Sequence, residues 1–409
     1  MFTIKLKKIP AILVFLITTM LYAEEPVTKF KLYGFISNEF FYNSRQNVES
    51  IDGVFNYFPK PIELSNGMDK NAVPQAEMIS INTRVGIDIT GNLLFGAKSS
   101  GKIEADFAGF STSYYVFRIR QAYMKLNWDK SELLIGQTWH PMFTDVIPTT
   151  LSANAGAPFN PFNRSPQIRL IQKINSTLAL TAAAIYEMQY VSQGPLGASN
   201  TYLKNAIIPD LFVGFESKTA HWTNGIGADL KTIKPDLNSI TSFSATAFSQ
   251  YVNSNFELKA KATFGENLTD QGMLGGYGVS KFATDSSTVL KYTNLNNLNV
   301  WINAVYGTKI QVGAIVGLSH NLDSNEGLDL GKSKKITVYG NGFYCTTQEI
   351  LNRLVRFSPQ ISYNLPNLKF GIEYDLTKAQ YGKIQKNASI SNPYIVDNNR
   401  IVASIYYYF

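Results

Sequence analysis

The sequence predicts an all-β fold, a transmembrane antiparallel β-barrel of about sixteen strands with short periplasmic turns and long external loops. Three observations predict it. Beyond residue 23 no apolar run approaches the ~20 residues that a membrane helix needs. Apolar and polar residues alternate with period two over stretches of about ten residues, the length that crosses a bilayer at a tilt. Connections between these stretches alternate between short turns and long polar segments. A soluble sandwich also alternates, but its strands usually run to about five residues.

The N-terminal stretch "MFTIKLKKIPAILVFLITTMLYAEE" has Lys5, Lys7 and Lys8, an apolar run from Ile9 to Leu21 and a small residue at Ala23. That is the pattern of a cleavable secretory signal over residues 1–23, which leaves 24–409 as the barrel. Loss of three lysines lowers the formal net charge from +7 to +4, so the basic character is weak. No Cys follows Ala23 as a lipid anchor, and the single Cys345 cannot close an intrachain disulfide. Barrel closure, in which every strand pairs on both sides, supplies the missing constraint.

The first clear strand is "ISINTRVGIDIT", with Ile79, Ile81, Thr83, Val85, Ile87 and Ile89 on a lipid face and Ser80, Asn82, Arg84, Gly86, Asp88 and Thr90 on a water face. "FELKAKATFG" sets Phe256, Leu258, Ala260, Ala262 and Phe264 against Glu257, Lys259, Lys261 and Thr263. "LKFGIEYDL" sets Leu368, Phe370, Ile372, Tyr374 and Leu376 against Lys369, Glu373 and Asp375. "KIQVGAIVGLS" is similar, although Ile315 falls on its small, polar side.

Short turns are read at Asn127–Leu134, Asn175–Thr177, Val252–Phe256 and Asn364–Lys369, and long polar segments at 43–76, 139–166, 191–206, 268–296 and 379–396. A literal pass finds seventeen strand candidates, whereas a barrel with both termini in the periplasm needs an even number. "ITVYGNGFYC" (Ile336–Cys345), interrupted by Gly340 and Gly342, is the weakest and is assigned to an external loop spanning about 321–351. The terminal "RIVASIYYYF" puts Ile401, Ala403, Ile405, Tyr407 and Phe409 on one face and Ser404, Tyr406 and Tyr408 on the other. It is expected to close the barrel against "KFKLYGFISNEFFY" (Lys29–Tyr42), with its tyrosines in the aromatic girdle.

"YGFISNEFFYNSRQ", "DGVFNYFPKP", "TRVGIDITG", "SGKIEADFAGF", "RIRQAYMKLNWDKSELLIGQTWHPMF" and "NAGAPFNPFNRSPQIRL" resemble the DcaP-like porins of Gram-negative outer membranes, chiefly over residues 33–220. The resemblance implies a homotrimeric, sixteen-stranded channel, set in outer-membrane lipid, for passive diffusion of small hydrophilic solutes. It also implies that small anions such as dicarboxylates are favoured. A terminal Phe409 preceded by Tyr407 and further alternating apolar residues resembles the signal read by the barrel-assembly machinery. The resembling motifs read as scaffold and carry over no set of solute-binding residues.

Within that reading, the third external segment, 139–166, is expected to fold inward as a pore-constricting loop, with Asp145 its only acid and Arg164 its only Arg. Arg84, Lys125, Asp145, Arg164, Arg169 and Lys173 are the candidate pore-lining residues. Rings of Arg or Lys favour anions, but the basic surplus is thin. Lumen positions also include Lys102, Lys259, Lys261 and Lys369, against Asp88, Glu104, Asp106, Glu257, Glu373 and Asp375. Strict alternation points Arg118 and Arg120 at lipid, where a midplane Arg costs ~2–4 kcal/mol. Emergence from the membrane, a bulge that flips the register, or burial between subunits would each relieve this.

Three His, at 140, 221 and 320, stand in no recognisable nucleophile or metal arrangement, and no phosphate loop, Cys/His cluster or EF-type loop is present. No catalytic residue, metal, cofactor or nucleic-acid partner is expected. The rival to a channel is a surface-binding or structural barrel whose loops clog the pore.

Overall fold

The computed structural model describes residues 28–109, 116–152, 156–283, 288–330, 338–344 and 347–409, so the predicted signal segment lies outside it. One sheet closes on itself through sixteen strands. They are β1 (Lys29–Asn43), β2 (in two pieces, Gln75–Ile79 and Arg84–Leu94), β3 (Ala97–Asp106), β4 (Arg118–Asn127), β5 (Ser131–Trp139), β6 (Arg164–Lys173), β7 (Leu178–Ile185) and β8 (Asp210–Lys218). The second half comprises β9 (Trp222–Ile233), β10 (Ile240–Val252), β11 (Phe256–Glu266), β12 (Val289–Gly307), β13 (Ile310–Ser324), β14 (Glu349–Asn364), β15 (Leu368–Ile384) and β16 (Ile390–Tyr408). Each strand is antiparallel to its neighbours, and connections of two to four residues mark one end of the barrel while long loops mark the other.

Closure follows the expected pairing. Phe35 lies opposite Tyr408 and Asn43 opposite Arg400 in the β1–β16 ladder. Gly34 and Phe409 exchange backbone hydrogen bonds of 3.1 and 3.2 Å at its foot. Edge groups are thereby satisfied, as a bilayer requires. Ile401, Ile405, Tyr407 and Phe409 point outwards, while Ser404 and Tyr406 are buried inside.

The seventeenth candidate is a loop element. Val338–Asn341 pairs with Gly275–Phe282, a strand that lies along the loop end of β12, and Phe343–Tyr344 pairs with the start of β14. Ile336, Thr337 and Cys345 fall outside the described residues. Two other segments read as loops are largely strand. The 268–296 segment contains Gly275–Phe282 and the start of the long β12, and in 379–396 the ladder of β15 with β16 continues to Ile384 opposite Ile390. Their polar composition is what reads as loop.

Alternation holds along β11 and β15, where Leu258, Phe264, Phe370 and Ile372 are exposed while Lys259, Lys261, Glu373 and Asp375 are buried. It fails in β2. A turn closed by Thr83 N–H to Ser80 O (3.1 Å) interrupts the strand, so Met78 faces out and Ile79 faces in, before Ile87 resumes the outer face. Ile315 is buried too, at 4% exposure, because its inward neighbour is protein.

That protein is the inner packing. Trp301, Leu354 and Tyr381 on the wall bury against Phe159 and Val146 of the 140–163 loop and Phe58 of the 44–74 loop. The latter loop folds as a hairpin, Asn47–Ser50 against Phe55–Pro59. The apolar core therefore sits inside the barrel, between wall and loops, and outward-facing residues form a second apolar surface outside.

Candidate functional site

Trp139 and Arg164 are paired residues at the top of β5 and β6, so residues 140–163 are one long excursion from a closed neck, which His140 N–H to Asn163 O (2.9 Å) ties. The excursion starts with a turn of 3-10 helix at Pro141–Phe143, whose Met142 N–H donates to His140 Nδ1. Trp139 stacks on Phe143 with centroids 3.9 Å apart, and Phe162 meets both rings edge-on. Such aromatic pairs contribute roughly 0.5–1.5 kcal/mol each beyond their buried area, enough to hold the neck in one shape.

From the neck the loop crosses the barrel. Lys261 on β11 donates to Phe143 O (2.6 Å), and the Thr149 N–H donates to Asn303 on β12 (2.9 Å). Gln360 on β14 donates to Thr149 O (2.6 Å), and Glu373 on β15 accepts from Leu151 N–H (2.8 Å). Arg356 on β14 ties two loops at once, donating to Ala157 O (3.0 Å) and to the carbonyls of Asn56 and Tyr57 (2.9 and 2.8 Å). Arg356 was missed by motif reading, although alternation with Leu354 and Ser358 places it on the inward face.

The wall of β2 to β6, by contrast, keeps charged side chains partly open to water inside the barrel. Lys102 meets Asp88 (3.0 Å) and the Tyr33 hydroxyl (3.0 Å), and Lys125 meets Glu132 (2.9 Å). Arg84 lies 3.9 Å from Glu104 and 4.9 Å from the centroid of Phe35. Arg169 donates to Gln167 Oε1 (2.9 and 2.7 Å) and to Trp139 O, and no carboxylate oxygen lies within 4.0 Å of it among the described residues. Asp145 is exposed on the inner loop, within electrostatic reach of Arg169, Lys261 and Glu216.

Two candidate pore residues sit elsewhere. Arg164 is fully buried at the neck, its guanidinium 4.6 Å from the Trp139 ring centroid and bonded to Gln189 (2.9 Å), so it presents no charge to water. Lys173 is exposed at the short-turn end, donating to Asp129 O (3.2 Å), far along β6 from the loop. Arg118 and Arg120 change sides. A register shift sets Glu104 opposite Gln121 but Ala105 opposite Ile119, so Arg120 is the extra residue of a β-bulge and both arginines turn inward. Arg118 grips Asp106 through Nε (3.0 Å) and Nη2 (2.8 Å), while Arg120 bridges Glu104 (2.8 Å) and Asp106 (2.7 Å). Only Ile119 between them faces out.

No family model and no curated protein matches the chain. Solved structures do. The outer membrane channel DcaP of Acinetobacter baumannii is 19% identical with a TM-score of 0.68, over 93% of this chain and 97% of that one. The anion-selective porin from Comamonas acidovorans is 10% identical with a TM-score of 0.56, over 93% of this chain and all (100%) of that one. OmpT, an outer membrane protein of Vibrio cholerae, in its trimer form, is 10% identical with a TM-score of 0.54, over 93% and 99%. At these identities the likeness speaks for the fold, and the closed sixteen-stranded antiparallel barrel is the fold this chain shares with the DcaP channel and other porins.

Proposed function

We propose that this chain is an outer-membrane porin of the DcaP-like kind, a water-filled channel for passive diffusion of small hydrophilic solutes. It takes its place in a Gram-negative outer membrane, with the long loops external, the short turns periplasmic and three copies assembled as a homotrimer. The observation that carries the reading is the asymmetry of the barrel interior. From β12 to β15 the wall packs against the 140–163 and 44–74 loops, while the β2–β6 wall keeps Arg84, Lys102, Lys125 and Glu132 partly solvent-exposed beside the exposed Asp145. Water therefore has a charged lane past the inner loop, which acts as the constriction. The chain catalyses no reaction and needs no nucleic acid.

A modest preference for anions, dicarboxylates among them, fits the same lane. Lys102 and Lys125 are each matched by a carboxylate, whereas among the described residues Arg169 has none within salt-bridge distance and Arg84 has one only at 3.9 Å. In a narrow, poorly screened passage an unmatched guanidinium attracts anions more strongly than it would in bulk water. Phe409 and Tyr407, outward at the foot of the closing strand, are the residues offered to the assembly machinery.

The second reading, a structural or surface-binding barrel with a clogged pore, draws support from the complete burial of Trp301, Arg356 and Lys261 under the loops. Planar-bilayer recording of the purified protein in a KCl gradient separates the two. Stepwise conductance with a reversal potential on the anion side is expected, moving towards cations in Arg169→Gln. Absence of any conductance overturns the channel; an unchanged reversal potential in the variant overturns the anion assignment to Arg169.

A further inference from the structure

Beside the neck of the inner loop, three carboxylates come together with almost no access to water. They are Glu187 from the 186–209 loop, Asp210 at the head of β8 and Asp270 from the 267–288 loop, at 4%, 1% and 2% exposure. One oxygen of each lies within 4.8 Å of the others, so a single point is within about 2.8 Å of all three, close to the 2.3–2.6 Å of a calcium–oxygen bond. Two of them are held by hydrogen bonds. Glu187 accepts from the Ser192 N–H (2.8 Å) and hydroxyl (2.7 Å), and Asp270 accepts from the Gln271 amide (2.7 Å).

Charge does not balance there. The β8–β9 register sets Leu211 opposite Leu230 and Phe212 opposite Asp229, which brings Lys231 and a fourth buried carboxylate, Asp229, to the same inward face as Asp210. Lys231 donates to Asp270 and to Asn267 O, and reaches Glu187 only at 4.0 Å. Four carboxylates thus face one ammonium. Among the described residues Asp210 Oδ1 and Asp229 Oδ1 have no hydrogen-bond partner, and neither has His140 Nε2, 3.6 Å from Asp229. Buried carboxylate oxygens are costly unless paired or coordinating a metal, and Asp210 Oδ1 and Asp229 Oδ1 are two such oxygens.

We propose that Glu187, Asp210 and Asp270 form a binding site for one divalent cation of calcium's size. Hard oxygen donors and no sulfur or free imidazole in the triad select Ca²⁺ over transition metals, and the spread of the oxygens suits its longer bonds better than the 2.0–2.1 Å octahedron of Mg²⁺. Asn163, the last residue of the inner loop, donates to Asp270 O (2.9 Å), and His140, the first, stands against Asp229. The ion would therefore pin the root of the inner loop to two neighbouring loops.

The test is calorimetric titration of the EGTA-treated, detergent-purified protein with CaCl₂ alone, paired with thermal unfolding. Expected are one saturable site per chain, a higher Tm with Ca²⁺, at least tenfold weaker binding in Asp210→Asn, and the same loss in Glu187→Gln should the first variant fold poorly. No saturable heat and no Tm shift in the wild type would overturn the site, as would a shift reproduced by an equal ionic strength of KCl. Wild-type affinity in both variants would move the ion to the exposed acids and likewise refute the assignment. Mg²⁺ binding as tightly as Ca²⁺ would refute the size selection.

Discussion

Replacing Asp106 by Asn tests the bulge that turns Arg118 and Arg120 inward. Asp106 is fully buried and receives three charge-assisted hydrogen bonds, two from Arg118 and one from Arg120, at 2.7 to 3.0 Å. Removing one partner of a buried ion pair leaves the other charge uncompensated and costs about 3–5 kcal/mol. Here the lower end applies, about 3 kcal/mol, because Glu104 still holds Arg120 at 2.8 Å while Arg118 loses its bidentate partner. Asp88→Asn is the control. Its bridge to Lys102 is 3.0 Å but its side chain is 45% exposed, and such pairs contribute only about 0–1 kcal/mol. The assay is urea unfolding of the detergent-folded protein followed by tryptophan fluorescence, reading the midpoint at constant slope. If Asp106→Asn costs no more than Asp88→Asn, the two arginines do not meet Asp106, and strict alternation on β4 is restored.

Two further outcomes follow from the geometry. Deleting Phe409 removes the paired backbone bonds to Gly34 and an outward aromatic, and should sharply lower the yield of heat-modifiable, folded barrel on semi-native gels; wild-type yield would contradict its role in closure and assembly. A Cβ added at Gly317 would stand 2.6 Å from the Phe159 ring, so Gly317→Val should drive that ring and its loop off the wall and lower single-channel conductance while the folded fraction is kept; unchanged conductance would mean that the loop does not border the ion path.

Much of the fold was legible because a barrel imposes period two on every residue that spans the membrane. The even strand count, the demotion of Ile336–Cys345 and the pairing of the last strand with Lys29–Tyr42 all follow from that rule and from the need to satisfy every edge. The rule also groups Lys102, Arg84 and Lys125 with the carboxylates they meet, Asp88, Glu104 and Glu132. Its failures are local. One extra residue at Arg120 and one broken turn at Ser80–Thr83 each reverse the faces, and neither leaves a mark in composition.

Other misreadings come from what fills the barrel. Inward positions were read as wet, yet Ile315 and Trp301 are inward and dry because the inner loop packs on them. Arg164 looked like a filter residue for its place at the end of a loop, but the neck aromatics Trp139, Phe162 and Tyr190 enclose it. Lys173 has the right parity and the wrong height, since alternation fixes the face of a residue and says nothing of its depth. The acidic cluster was invisible because Glu187, Asp210 and Asp270 are widely separated in sequence and meet only through loop folding.

The central claim is that solute passes along the β2–β6 wall while the inner loops pack against the β12–β15 wall. Cysteine accessibility during bilayer recording addresses it most directly, in a Cys345→Ser background that leaves no other thiol. Lys125→Cys, on the partly exposed wall, should react with a charged methanethiosulfonate reagent and change the current, whereas Ser358→Cys, 2% exposed beneath the inner loop, should not react. Rapid modification at 358 with silence at 125 would put the path on the other side of the loop and contradict the account.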